Sequence, residues 1–432
     1  MRKETKMPIK TCVLDDWIEK KENITLSSRK ELNSWHLERI RALLSFAGEN
    51  SQWYRKKLTG FPPPKSLEAF TSFPTMDGKD LTDAGLSMLC VSQGEISRVV
   101  TLRTSGTEGL PKRIFYTASD QELTVDFFHH GMAELTKAGE TVMVFLPFEK
   151  KGSVGDLLMQ GLGRLGAYPI GFGIINSLED CAARLLEKQV SCAVGIPVQF
   201  LALAEYCRQQ HIKLPLKTVL LSTDHLPLPV RERISSGLGC EVFDHFGMTE
   251  TGLGCALECS VHKGMHIREN DIYAEILHPV THAVLEDGSW GELAVTTLTR
   301  RGMPLLRYRT GDLARFLPGF CACGSVLKRL ECGGRIKEKG LTVKLDEALF
   351  SIDTLVDYEA EYEPMEKMLS LKLKFMGDGF RGDQANIEMK VKRAVSEQGL
   401  NPVFEKIPVS CYSVDRFLNA YAGKRSIKIR GK

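Results

Sequence analysis

Three stretches of this chain carry residue types suited to a phosphorylated nucleotide. Thr104-Ser105-Gly106-Thr107-Glu108-Gly109-Leu110-Pro111-Lys112 follows the apolar run RVVTL. A strand that runs into Gly, Ser and Thr leaves backbone N–H groups unhindered and adds hydroxyl donors, the chemistry of a phosphate cradle. It is not a Walker loop, because Pro111 rather than Gly precedes Lys112 and no Ser or Thr follows it. Phe243-Asp244-His245-Phe246-Gly247-Met248-Thr249-Glu250 and Tyr308-Arg309-Thr310-Gly311-Asp312 each close a short apolar run. An aromatic can flank a purine, a Thr hydroxyl can bond a phosphate, and a Glu can hold Mg²⁺. An Asp at a strand end can accept both ribose hydroxyls.

A second chemistry is suggested by thiols. Cys321-Ala322-Cys323-Gly324 is a tight pair, and Cys259 lies a short loop before His266. Zn²⁺ favours thiolate and imidazole in a tetrahedron, and Cys332, Cys255 and His262 are rival donors. His129-His130 sit on an expected helix and read as surface or packing residues, whereas His245 lies inside the nucleotide motif. Ser105 lacks a Gly-x-Ser-x-Gly elbow, which argues against a hydrolase triad.

These residues need elements to position them. Val142–Leu146, Ala193–Ile196 and Val219–Leu221 read as buried strands, with helices over Gly155–Leu165 and Leu178–Lys188. Alternation of this kind predicts an α/β domain with a largely parallel sheet. Apolar side chains at Leu32, Trp35, Ile40, Leu43, Leu44 and Ala47 predict an amphipathic helix within 28–58. Residues 270–316 change to strands separated by His-Pro and Asp-Gly turns. After ECGGRIKEKG a smaller α+β piece remains, with strands over 369–375 and 409–414, a helix over 384–398 and a hinge expected at Gly333–Gly334.

The bulk properties set limits. A chain of 432 residues exceeds one compact core, so at least two domains are expected. Net charge of +3 gives no broad basic surface for nucleic acid. No run approaches the ~18 apolar residues of a membrane span, and MRKETKMPIK is not followed by an apolar segment. Twelve scattered cysteines fit reduced thiols rather than a secreted disulfide scaffold. A cytoplasmic enzyme is expected, and a homodimer is the default expectation for its assembly.

The co-linear order of these stretches resembles one family. LERIRALLSFAGENSQWYRKKL, PTMDGKDL, TSGTEGLPKRIFYTASD, FGMTETGLGCALEC, GMHIRENDIYAEIL and GELAVTTLTRRGMPLLRYRTGDLARFLPG are similar to the adenylate-forming, acyl-CoA synthetase superfamily, on its phenylacetate–CoA ligase-like branch. The resemblance implies a large α/β domain over 1–334, with a zinc-stapled subregion over 255–325, and a small hinged α+β domain over 335–432. It implies ATP-dependent activation of a carboxylic acid to an acyl-adenylate, then transfer to coenzyme A with release of AMP and pyrophosphate.

Residue by residue, the resemblance implies that Thr104, Ser105, Gly106, Thr107, Gly109 and Lys112 wrap the ATP phosphates. Phe246 and Gly247 would lie by the adenine and acyl group, and Asp224 could substitute for the acid of the family's adenine-side element. Thr249 would touch the α-phosphate, Glu250 would bind Mg²⁺, Asp312 would take the ribose hydroxyls, and Arg335 would stand close by. Lys337 falls near the hinge, and Lys424 matches a mobile catalytic lysine. Some relatives resemble this chain at Glu-Cys, Gly-Met-His and Cys-x-Cys, which implies a structural zinc on Cys259, His266, Cys321 and Cys323. Glu108, the segment Ser222-Thr223-Asp224-His225 and the segment 149–156 depart from the family pattern. The acid therefore stays open, as do a non-CoA acceptor and an inert nucleotide-binding relative.

Overall fold

The structure is a computed structural model that describes residues 12–102, 111–376, 384–401, 403–414 and 427–430. The apolar spacing of the N-terminal region produces the helices Arg29–Asn50 and Gln52–Lys57. Ser28 caps the first by accepting from Glu31 N at 3.3 Å, and Leu32, His36, Ile40, Leu43, Leu44 and Ala47 face inward. A terminal donor is thereby satisfied while one face is buried.

The described residues fall into two compact units, drawn from 1–134, 151–165 and 245–332, and from 135–150, 166–244 and 333–432. The first unit holds the hairpin Ile96–Leu102 and Lys112–Thr117 and a mostly antiparallel set of strands. In that set Ile272–Leu277, Gly291–Thr297 and Tyr308–Phe316 are consecutive antiparallel neighbours. Met265–Ile267 pairs on one side with Ala256–Glu258 and on the other with Arg329 and Leu330. The core of this unit gathers Ile40, Tyr54, Phe70, Ile114, Phe115, Ile267, Val295, Tyr308 and Phe316.

The second unit holds the parallel strands, in the order Glu241–Asp244, Thr218–Leu221, Cys192–Gly195, Thr141–Val144 and Tyr168–Gly171. Thr141–Val144, Cys192–Gly195 and Thr218–Leu221 each start one residue before the expected apolar run, because Thr or Cys at the entrance pairs in the ladder. The helices Val154–Leu165 and Leu178–Glu187 follow the predicted limits to within a residue. The order reverses between Tyr168–Gly171 and Cys192–Gly195, which lie on opposite sides of Thr141–Val144. Such a reversal opens a crevice at the carboxyl ends of the strands.

The same unit contains the C-terminal α+β piece, with strand order Val409–Val414, Met368–Met376, Leu355–Glu363 and Lys428–Ile429. Leu345, Phe350, Leu355 and Phe375 share one apolar core with Phe200, Leu203 and Ile234. The mixed α/β architecture with a C-terminal α+β piece is thus the one that the sequence predicts. Among the described residues no helix is long and apolar enough to cross a membrane.

Candidate active site and candidate metal centre

The hairpin is closed by the pair Leu102–Lys112, so the loop between them leaves and returns at one place. Residues 103–110, including Thr104, Ser105, Gly106, Thr107 and Gly109, lie outside the described residues. Lys112 opens the return strand, and its Nζ stands 2.7 Å from Glu250 Oε1. Tyr308 donates its hydroxyl to the same oxygen at 3.2 Å and stands 3.5 Å from Lys112 Nζ. Burial alone would raise the Glu250 carboxyl, but the Lys112 ammonium and these donors hold it below its ordinary range. Glu250 is therefore a carboxylate kept charged in a nearly dry place.

The backbone around Glu250 is held by a set of side chains. Tyr116 donates to Thr249 O, Arg300 to Glu250 O at 2.7 Å, Arg268 to Thr251 O at 2.6 Å and Thr124 to Gly252 O at 2.5 Å. Carbonyls of a short turn cannot satisfy one another, so these donors fix its course. Gly247 is forced by close approach: a Cβ there would stand 2.0 Å from Leu253 O. Asp120, in a capping box with Thr117, also accepts from Arg301 N at 2.7 Å and Gly302 N at 2.9 Å. That carboxylate anchors the loop preceding Tyr308.

Phe246 ends its strand with its side chain buried, and His245 beside it packs near Phe127 and Phe128. Burial, aided by Arg268, pushes the His245 imidazole down to about 4, so it is neutral at pH 7. Asp312 lies on Tyr308–Phe316, on the buried face shared with Tyr308, Thr310, Ala314 and Phe316. Asp312 N is fixed by Thr310 Oγ1 at 3.1 Å. Lys112, Thr249, Glu250, Phe246, Gly247 and Asp312 all belong to the first unit.

Asp224 and Arg335 belong to the second unit. Asp224 follows the strand Thr218–Leu221, and its carboxylate accepts from His225 N at 2.9 Å. Arg335 ends the strand Arg329–Arg335, and Lys337 sits in the short turn Ile336–Glu338. Lys424 lies outside the described residues. Three residues beyond it Ile427 is buried, and Lys428 and Arg430 pair with Glu361 at 3.2 and 2.6 Å.

The four residues singled out as metal donors converge. Ligand atoms of Cys259, His266, Cys321 and Cys323 all lie within 4.8 Å of one another and are buried. Cys259 Sγ and Cys321 Sγ are 3.8 Å apart, and Cys323 Sγ lies 3.4 Å from His266 Nε2. Zinc bonds of about 2.3 Å to sulfur and 2.0 Å to nitrogen make tetrahedral edges of roughly 3.5–3.8 Å. The geometry of the donor set therefore fits a closed Zn²⁺ site. The rivals Cys255, His262 and Cys332 are not in this group. A thiol missed from the sequence, Cys12, is buried and hydrogen-bonds with Cys323. Its separation of more than three hundred positions left no local signal, although nearby Asp15 also joins Ser325 at 3.0 Å.

The AMP-binding enzyme family matches residues 97–298. A phenylacetate–coenzyme A ligase of Pseudomonas putida is 32% identical over 304 residues, covering 67% of each chain. One of Aromatoleum evansii is 30% identical over 328 residues, covering 72% of each. In fold, the chain is similar to 2-hydroxyisobutyryl-CoA ligase in its postadenylation state, with a TM-score of 0.80 at 21% identity, covering 94% of this chain and 91% of that one. A benzoate CoA ligase from Burkholderia xenovorans matches with a TM-score of 0.53 at 16% identity, covering 72% of this chain and 65% of that one. The chain belongs to the AMP-binding enzyme family, on its phenylacetate–coenzyme A ligase-like branch.

Proposed function

We propose that this chain is an AMP-forming acid–CoA ligase, which activates a carboxylic acid with ATP and passes the acyl group to coenzyme A. The observation that carries the reading is the ion pair of Lys112 and Glu250 at the exit of the phosphate-loop hairpin. Attack of a carboxylate on the α-phosphorus brings two anions together. Cationic groups must offset that repulsion and the charge growing on pyrophosphate. Thr104, Ser105, Gly106, Thr107 and Gly109 would supply donors to the phosphates, Lys112 would add its positive charge beside them, and Glu250 would hold Mg²⁺. The ion, when bound, neutralises phosphate charge. Glu250 holds it, and Thr249 orients the α-phosphate.

Phe246, Gly247 and Asp224 flank the adenine, while Asp312 and Arg335 take the ribose side. Lys424 is the catalytic cation of adenylation, carried on a small mobile domain over 335–432. Zinc on Cys259, His266, Cys321 and Cys323 is structural: four protein donors leave no open position.

The test is thioester formation. Purified protein incubated with MgATP, CoA and a panel of aryl, short-chain and amino acids should give one class of acyl-CoA with equimolar AMP. AMP release without any acyl-CoA would move the acceptor from CoA to another nucleophile. Neither product from any acid would contradict the ligase reading.

A further inference from the structure

The helix Ala118–Met132 carries a second group of donor side chains that the adenylation reading does not use. Asp126, His129 and His130 occupy positions i, i+3 and i+4, which lie on one face of a helix. Their ligand atoms all fall within 4.8 Å of one another, and each residue is only half-buried. His130 Nε2 already lies 3.4 Å from Asp126 Oδ1, and the two imidazole rings are 4.2 Å apart at 33°. An ion bound at about 2.1 Å to nitrogen and oxygen needs donor separations of roughly 3.4 Å. One pair is at that spacing, and rotation of the exposed His129 ring brings in the third donor.

The other carboxylate oxygen is spoken for. Trp17 Nε1 donates to Asp126 Oδ2 at 3.1 Å, and Lys21 Nζ does so at 2.8 Å. These bonds from the helix Val13–Glu22 hold the carboxylate so that Oδ1 faces the histidines. Outer hydrogen bonds of this kind orient a ligating carboxylate. Trp17 also stacks on His130, at 5.5 Å and 18° between planes, which fixes the second ring. Lys21 opposes a cation electrostatically, but it is partly exposed and water screens it.

We infer that Asp126, His129 and His130 form an accessory site for a borderline divalent ion such as Zn²⁺, Co²⁺ or Ni²⁺, with water completing its shell. Two imidazoles and one carboxylate favour these ions over Mg²⁺ or Ca²⁺, which prefer all-oxygen donors. The site is independent of both the adenylation chemistry and the cysteine cluster. Its occupation fastens Ala118–Met132 to Val13–Glu22 through Asp126, because the ion and the Trp17–Lys21 pair grip opposite oxygens of one carboxylate.

Cobalt distinguishes this site from the cysteine cluster. Full-length protein carrying one zinc per chain at the cysteine cluster, freed of excess metal, is titrated with Co²⁺ by calorimetry, absorbance and tryptophan fluorescence. One further Co²⁺ per chain is expected, without a thiolate-to-cobalt absorption band and with quenching of Trp17. Trp17→Phe should keep the binding heat while losing that quench. His129→Ala and His130→Ala, both half-exposed positions where the fold is not at stake, should each weaken binding at least about tenfold. Absence of a further equivalent up to millimolar Co²⁺ would overturn the proposal, as would equal affinity in the wild type and His129→Ala/His130→Ala.

Discussion

Lys112 and Glu250, 138 positions apart in the chain, meet at 2.7 Å with Tyr308 bound to the same carboxylate oxygen. The hairpin that carries the Gly/Ser/Thr loop is thus coupled to the acid proposed to hold Mg²⁺. The Lys112 ammonium thus balances the buried Glu250 carboxylate in the nucleotide-free protein.

Removing the cation should uncover that role. Lys112→Met leaves Glu250 buried without its counter-charge, and breaking a buried pair costs about 3 kcal/mol. We expect kcat/KM for MgATP to fall by roughly a hundredfold, the size expected for losing one group that stabilises developing charge. Thermal melts should show that stability cost as an upper limit, because Tyr308 still donates to the Glu250 carboxylate. Unchanged kinetics would place the pair outside the reaction.

The same variant should move the acid limb of the pH profile. Glu250 is held below its ordinary value, so its contribution to stability is present above the unfolded carboxyl pKa and is lost as pH falls through the folded one. Without Lys112 the folded pKa rises, and activity should fail at a higher pH than in the wild type. Activity against pH for both proteins reads this directly.

Two buried histidines predict a separate acid weakness. Burial pushes both His36 and His245 from 6.5 to about 4. The unfolded chain takes up protons first, so stability should fall as pH drops from about 6.5 to about 4 and then level off for these groups. Each shift corresponds to about 3 kcal/mol at most. Urea melts across this range should show a shallower decline in His36→Asn, whose wild-type ring bonds Glu269 O at 2.7 Å.

Gly247→Ala tests the turn that presents Thr249 and Glu250. The added Cβ would lie 2.0 Å from Leu253 O, and backbone cannot yield as a side-chain tip does. Overpacking of this kind costs about 1–3 kcal/mol. Adenylation should fall further than the melting temperature suggests, since the displaced turn is the one proposed to hold Mg²⁺ and the α-phosphate.

Metal analysis should find one zinc per chain at the cysteine cluster. Cys323→Ser, or exhaustive chelation, should release it and lower the melting temperature, since structural zinc binding is linked to folding. ATP affinity should change less than the melt does, because the cluster staples strands rather than contacting the nucleotide motifs. Protein that contains no zinc and melts identically with and without chelator would sink this assignment.

Much of this was legible in the sequence where the signal is local. The apolar runs at 142–146, 193–196 and 219–221 became parallel strands, and the spacing of Leu32, Ile40, Leu43 and Ala47 became one helix face. The cysteine set converged because two of its donors sit within one tight turn. What escaped depends on distance in the chain. Neither the Lys112–Glu250 pair nor the Cys12–Cys323 contact has any periodicity to betray it. His129 and His130 read as surface groups because Trp17 and Lys21, which orient Asp126 between them, come from another helix.

The central claim is formation of an acyl-adenylate, and acid-dependent exchange of labelled pyrophosphate into ATP measures it most directly. The account predicts exchange with one class of acid, dependent on Mg²⁺ and independent of CoA, that Lys424→Ala abolishes while ATP still binds. Measurable ATP binding with no exchange across aryl, short-chain and amino acids would contradict it and favour a nucleotide-binding relative without turnover.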